Sequence, residues 1–480
     1  MDKPRRASPR TLPAPIQRGL PAVGRVLTHP SVRPAVARLG REVAARLVRE
    51  TIAEQRLSPT ARVEGKVTLE AVCRAVLDRE ERLRAPALRR VLNATGIVVH
   101  TNLGRAPLGR AAAAHLAAMA EGYTNLEFDL GSGKRGSRQS HLRDLLRVLT
   151  GADDVLVVNN NAAALLLVLQ TLASRREVVV SRGELVEIGD SFRIPDVMKA
   201  GGARLVEVGS TNRTHLSDYQ SAIGPRTAVL FKAHTSNYRT VGFCAAVPLD
   251  ELAALARAHG LVCVYDLGSG MLRRPQGVDL GDEPSLAETL AAGADLVTCS
   301  GDKLLGGAQA GLVAGRRDLV ARLARAPLMR ALRPGRLTFA ALEAVMRQYL
   351  DEARMVAETP VFRMLARTSP ELRQSAERLA DLLRGKGIAV EVVPSQGQVG
   401  GGALPGVSLP GWAVKVVPAG RGRRTGQATA LAQALLRNHP PVLAVLREGH
   451  LLLDVRTLQD EELVPAALAV GRLLERIPPR

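Results

Sequence analysis

The stretch SGDKLLGGAQAG places one lysine, Lys303, directly after an apolar run (DLVTC) and among small residues, with glycines at 301, 306, 307 and 311. Lysine is scarce in this chain. Of 66 basic residues only eight are lysine: Lys3, Lys66, Lys134, Lys199, Lys232, Lys303, Lys386 and Lys415. An imine can be built on a lysine amine but not on a guanidinium, so an isolated lysine in an arginine-rich chain points to covalent chemistry. Glycines beside it are expected to leave room for a planar ring and a substrate. Asp266, in YDLGSG, ends another apolar run. A carboxylate there can hold a protonated heteroaromatic nitrogen, or it can cap a turn. Asn159-Asn160-Asn161-Ala162 follows a third run and opens a helical stretch. The unpaired N–H groups of such a helix start can cradle a phosphate, although a simple asparagine cap has the same appearance.

A lysine, a carboxylate and a helix N-terminus are together what pyridoxal 5′-phosphate requires, for its Schiff base, its pyridinium nitrogen and its phosphate. The expected cofactor contacts are therefore Lys303, Asp266, Asn160, Asn161, Ala162 and Ser300. His234 and Ser236, in KAHTSNY, leave a further apolar run and read either as ring contacts or as ordinary loop residues. Arg105, in HTNLGRAPLG, and Arg330, Arg333 and Arg336, in MRALRPGR, read either as a grip on an oxyanion or as a solvated basic face.

These residues converge only if the elements carrying them share one sheet edge. Short apolar runs at 155–158, 178–180, 205–208, 228–231, 261–265, 296–299 and 312–314 alternate with helical stretches. That pattern predicts an α/β fold with a mostly parallel sheet covered on both faces, and ligands outside the carboxyl ends of its strands. Residues 86–335 are the expected large cofactor-binding domain. Residues 336–480 read as a linking helix and a smaller α+β domain, with strands near 389–393, 413–417 and 451–455. Residues 1–85 read as a basic helical module, disordered up to about Pro21. Val36, Leu39, Val43 and Leu47, then Val67, Leu69, Val72 and Val76, recur at helical spacing on either side of Ser58-Pro59. A transit peptide or a plain dimerisation arm has similar texture.

Composition limits the function. The 480 residues carry a formal charge of +20 with an isoelectric point near 10.8, which suits a polyanionic partner. The preference for arginine and alanine also fits a GC-rich genome, which would raise the charge of any surface. No apolar run reaches the roughly 18 residues needed to span a bilayer, and no apolar signal core opens the chain, so a cytoplasmic location is expected. Cys73, Cys244, Cys263 and Cys299 are scattered, without the spacing of a zinc site or a disulfide framework.

The stretches NATGIVVHTNLGRAPL, NLEFDLGSGKRGSR, VVNNNAAALLL, SRGELVEIGDSFRIPDVM, KAHTSNYRTVGF, YDLGSG and SGDKLLGGAQAGL resemble the bacterial selenocysteine synthase family. These are L-seryl-tRNA(Sec) selenium transferases, fold-type I pyridoxal-phosphate enzymes. The likeness runs from about Leu57 to the C-terminus. It implies that Lys303 is the Schiff-base lysine, that Asp302 assists chemistry on the donor or leaving group, and that Arg105, Arg330 and Arg333 bind the phosphate-like donor. It also implies a tRNA-binding N-terminal module, a homo-oligomer built as a pentamer of dimers, and a reaction through a dehydroalanyl-tRNA intermediate that takes selenium from selenophosphate. This chain has Ala308 where the family usually has proline, and Arg336 where lysine is common. A related group lacks the tRNA-binding module and acts on other amino compounds, and the basic residues 1–85 favour the tRNA enzyme. The alternatives are a pyridoxal-phosphate lyase or transferase acting on a free amino acid or amino sugar, and an RNA-binding protein with an inactive cofactor fold.

Overall fold

The computed structural model describes residues 20–57, 68–185, 187–188, 192–417 and 424–475. Most of the stretch expected to be disordered, the break at Ser58-Pro59, and Val67 lie outside the described residues. Two units are present, Met1–Arg90 and Val91–Arg480.

In the first unit the helices Val23–Thr28, Arg33–Leu39, Arg41–Leu57 and Leu69–Arg84 surround a core of Val26, Val32, Leu47, Val48, Ile52, Val72, Cys73 and Val76. Thr68 caps the last helix by accepting from the Ala71 N–H at 3.1 Å. Buried Glu80 accepts from Arg38 through Nε and Nη2, both at 3.1 Å. Arg79 bridges Glu50 and Glu54 on the facing helix at 2.5 and 2.6 Å. Val43, expected on the apolar stripe, is instead half exposed, because the stripe turns onto Leu47 and Val48. Arg41, Arg49, Arg56, Arg74 and Arg82 point to solvent.

In the second unit the apolar runs become strands: β1 (Leu92–Ala94), β4 (Asp154–Val158), β5 (Glu177–Ser181), β8 (Arg204–Val208), β9 (Thr227–Ala233), β10 (Val262–Gly268), β11 (Leu296–Ser300) and β12 (Gly311–Gly315). Two-residue ribbons lie between them, β2 (Phe128–Asp129) with β3 (Lys134–Arg135), and β6 (Glu187–Ile188) with β7 (Phe192–Arg193). Seven strands form one sheet in the order β4-β12-β11-β10-β9-β5-β8. All its pairings are parallel except those of β12, which runs against both β11 and β4. Apolar clusters cover both faces, so β4 and β11 are buried along their whole length, the condition that favours continuous runs over alternation.

A second sheet has the order β1-β15-β16-β14-β13, from β13 (Val390–Gly400), β14 (Ala403–Val416), β15 (Val442–Arg447) and β16 (His450–Asp454). β15 is not among the strands expected from the sequence; it follows Pro440-Pro441 as a short VLAVL run without alternation. β1 leaves the large sheet altogether and pairs in parallel with β15, Leu92 opposite Val442. The β13–β14 hairpin reaches back to residues 98–99. There Val98 and Val99 donate to the carbonyls of Gln398 and Val399 at 3.0 and 2.7 Å. Among the described residues, no helix is long and apolar enough to cross a membrane.

Candidate active site

Asp266 lies in β10 opposite Thr298 of β11, one residue before the register shifts. Its side chain is buried, and Oδ1 accepts from Asn161 Nδ2 at 2.9 Å and from the Thr298 hydroxyl at 3.0 Å. Burial pushes its carboxyl above the ordinary carboxylate value, against the opposing pull of those two hydrogen bonds and the Lys303 charge. A protonated ring nitrogen beside it would supply the missing countercharge.

β4 ends at Val158, and the helix Asn161–Ala173 starts with Asn160 as its cap. The Asn160 side chain accepts from the Ala163 N–H at 2.8 Å. Its capping role is therefore real, and the donors left open at this helix start are the N–H groups of Asn161 and Ala162. The Asn161 side chain serves Asp266 through Nδ2, and its Oδ1 is buried without a partner.

Lys303 follows β11, which ends at buried Ser300 in register with Gly311. Lys303 is only 4% exposed. Burial first, and Arg105 second, hold its amine below the ordinary lysine value, so it is predisposed to act as a base. Neighbouring Asp302 accepts from Arg105 Nη1 at 2.7 Å. Arg105 and Asp302 line a cavity of about 320 Å³ with Thr101, Ala106, Gly307 and Gln309. His234 donates its backbone N–H to the Asp266 carbonyl at 2.9 Å, and its Nε2 lies 3.2 Å from buried Glu283. Ser236 and Ser269 are buried with unpartnered hydroxyls.

The expected glycine role is corrected. A Cβ on Gly311 would lie 2.2 Å from the Asn160 carbonyl oxygen, one on Gly306 2.3 Å from Thr359 Cγ2, and one on Gly301 2.7 Å from the Ala308 carbonyl oxygen. At Gly307 it would meet Leu305 and Leu342 at 2.9 Å. These glycines allow protein to pack on protein, and of the four only Gly307 also lines the cavity beside Asp302. The glycine that faces Lys303 is Gly402, at the hairpin tip, where a Cβ would stand 3.7 Å from Lys303 Nζ and from Ser236 Oγ.

The arginines divide. Arg105 joins Asp302. Arg333 donates instead to Glu127 at 3.2 Å, where Arg138 also donates, and the charge of Arg330 is felt by Arg333 in the same cluster. The Asn159 N–H donates to the Leu332 carbonyl at 3.0 Å, so this basic segment borders the end of β4. Arg336 donates to the carbonyls of Gly122 and Ala120 at 2.6 and 3.2 Å, closing the end of the helix Arg110–Glu121. Thr298, Glu283 and Gly402 carry no sequence signal: each is of a common type in a segment without a motif.

A buried lysine, a buried aspartate, an open helix start, and orphaned polar atoms on Asn161, Ser236 and Ser269 fit a polar, anionic, aromatic cofactor. A family model described as L-seryl-tRNA selenium transferase matches residues 91–459. The chain belongs to the L-seryl-tRNA selenium transferase family. A second model, selenocysteine synthase N terminal, matches residues 18–56. The L-seryl-tRNA(Sec) selenium transferase of Moorella thermoacetica is 46% identical over 464 residues, covering 95% of this chain and 97% of that protein. The Rhizobium meliloti protein of the same name is 47% identical over 452 residues, covering 92% and 95%. The solved structure of D-glucosaminate-6-phosphate ammonia-lyase superimposes with a TM-score of 0.55 at 19% identity, covering 82% of this chain and 98% of its own, and shows shared fold alone. The selenium transferase chain is thus a fold-type I α/β enzyme, and its cofactor is pyridoxal 5′-phosphate.

Proposed function

We propose that this enzyme converts L-seryl-tRNA(Sec) to L-selenocysteinyl-tRNA(Sec), with selenophosphate as the donor. The observation that carries the reading is buried Lys303 next to Asp302, whose pair with Arg105 lines a small cavity, in a chain aligned almost end to end with selenium transferases. Lys303 would hold the cofactor covalently and Asp266 its ring nitrogen. The helix start at 160–162 would hold its phosphate, with His234, Ser236 and Ser300 around the ring. The bound cofactor supplies an electron sink that acidifies the serine Cα–H.

Lys303, its proton affinity reduced by burial and by Arg105, takes the Cα proton. The serine hydroxyl leaves Cβ as water. Asp302, held by Arg105, faces the cavity where that leaving group and the incoming donor meet. Selenium of selenophosphate then forms its bond to Cβ while a proton returns to Cα through Lys303, water cleaves the P–Se bond and phosphate departs. Arg105, Arg330 and Arg333 are proposed to bind the donor's phosphate oxygens, because guanidinium matches such oxyanions bidentately. The basic residues 1–85 are proposed to bind tRNA, and the working form to be a cytoplasmic pentamer of dimers.

The test pairs colour with turnover. The purified protein should carry a yellow chromophore discharged by borohydride, absent in Lys303→Ala, and should make selenocysteinyl-tRNA from seryl-tRNA(Sec) and selenophosphate. A colourless wild type, or turnover of free serine but not of charged tRNA, overturns the proposal.

A further inference from the structure

Glu283 belongs to the loop between β10 and the short helix Leu286–Ala291, far in sequence from the β13–β14 hairpin. It is 2% exposed. A carboxylate this deeply buried is costly unless something holds it or uses it. One oxygen, Oε2, faces two elements at once. It accepts from the backbone N–H of Leu404 at 3.3 Å, and it stands 3.2 Å from His234 Nε2, close but outside hydrogen-bond alignment. Oε1 is buried without a partner.

Leu404 is the second residue of the return strand of the β13–β14 hairpin. It is buried, with φ of +53°, a left-handed conformation unfavourable for leucine. Strain of this kind persists only where surrounding contacts fix it. The fixing contacts are the Glu283 oxygen and the close approach of Gly400 and Gly401 to Ile97 and Val99, where a Cβ would meet side-chain carbons at 2.4 Å. The turn so held presents Gly402 to Lys303 Nζ and Ser236 Oγ. The other group beside Glu283, His234, follows β9 next to Asp266.

We propose that Glu283 is a positioning residue that seats the 400–404 hairpin tip over Lys303 and, through the same oxygen, orients His234 toward the cofactor. The small sheet thereby supplies one wall of the space in which the aminoacyl group is held, and that wall and the imidazole are set together. The inference rests on the cofactor reading above. The charge of Glu283 also favours the protonated form of Lys303, consistent with its place in the same site.

The experiment compares wild type, Glu283→Ala and Glu283→Gln as full-length holoenzymes. Three quantities are read: amide hydrogen exchange at 400–404, visible circular dichroism of the bound cofactor, and kcat and KM for the aminoacyl-tRNA. Glu283→Ala should speed exchange at Leu404 at least about tenfold, alter the dichroism, and lower kcat/KM about ten- to a hundredfold, the scale of a small misplacement. Glu283→Gln keeps an acceptor oxygen, so it should restore slow exchange at Leu404 while the altered dichroism remains. Exchange and dichroism both unchanged in Glu283→Ala overturn the proposal. So does Glu283→Gln exchanging as fast as Glu283→Ala. Neither readout needs tRNA, so a chain inactive on seryl-tRNA that behaves as described still supports it. A colourless wild type instead sinks the reading on which it rests.

Discussion

Arg105 Nη1 donates to Asp302 Oδ2 at 2.7 Å, and Arg105 does so from a left-handed backbone with φ of +64°. A non-glycine residue in that region costs free energy that must be offset locally. Here the offset is the ion pair together with the Arg105 N–H donated to the His100 carbonyl at 3.0 Å. The pair also bears on Lys303, since the guanidinium is the second cause, after burial, of the lowered proton affinity of that amine.

Arg105→Gln should therefore move the activity profile toward higher pH. Lys303 must be neutral to take a proton. Removing the neighbouring cation returns part of its affinity, so the acidic limb of kcat against pH shifts alkaline. The substitution should also lower kcat about 10²- to 10⁴-fold if Asp302 depends on Arg105 for its place. A kcat profile superimposable on wild type counts against both roles.

Asp266→Asn should trade function for stability. The folded carboxyl has its proton affinity raised, chiefly by burial. Its contribution is thus fully present below the ordinary carboxylate value and is lost as pH rises through the raised one. At neutral pH the cofactor-free protein bears the cost of a buried charge. Asparagine keeps an oxygen for Asn161 and Thr298 and removes that cost. Cofactor-free Asp266→Asn should melt a few degrees higher at pH 7, with no gain at acid pH, while binding pyridoxal phosphate more weakly. A lower melting temperature at pH 7 contradicts this account.

Two glycines should respond differently to a single methyl. Gly311→Ala drives a Cβ to 2.2 Å from the Asn160 carbonyl oxygen, so it should destabilise the protein by about 1–3 kcal/mol and loosen the phosphate cradle. Gly402→Ala meets only ordinary contacts at 3.7 Å, with a backbone penalty of roughly 1–2 kcal/mol for its φ of +73°. It should keep the chromophore and lose kcat/KM, because the methyl stands beside Lys303 Nζ. Thermal melts and kinetics on the two variants separate these effects. Full activity in Gly402→Ala would show that the hairpin tip does not bound the substrate.

Deleting residues 1–90 should leave the chromophore intact and abolish tRNA binding. The first unit has its own core, and its exposed arginines suit phosphate contacts. For the full-length protein the logarithm of affinity should fall linearly with the logarithm of salt concentration. Unchanged binding after the deletion, or binding indifferent to salt, assigns the tRNA surface elsewhere.

The strands of the large sheet were legible because burial on both faces writes itself as uninterrupted valine and leucine. The placement of Lys303, Asp266 and Asn160 was legible because each follows an apolar run that ends in a strand's carboxyl end. The contacts of Glu283 and Gly402 were not, since they join segments with no common pattern. The glycines near Lys303 were misread for a related reason: composition reveals that a side chain is absent, and only the packing reveals what fills the gap. Arg336 shows the limit for surface cations, which take the nearest helix end that the fold supplies.

The pairing of Leu92 with Val442 has a consequence for synthesis. The strand that completes the edge of the small sheet is made early, and its neighbour only when translation is nearly finished. The hairpin that walls the lysine belongs to that same sheet. A growing chain can assemble the large sheet while still tethered to the ribosome, yet it must hold β1 unpaired until β15 emerges. The small sheet is thus complete only in a nearly finished molecule, and a chain terminated before β15 would leave β1 as an open strand edge for quality control to find.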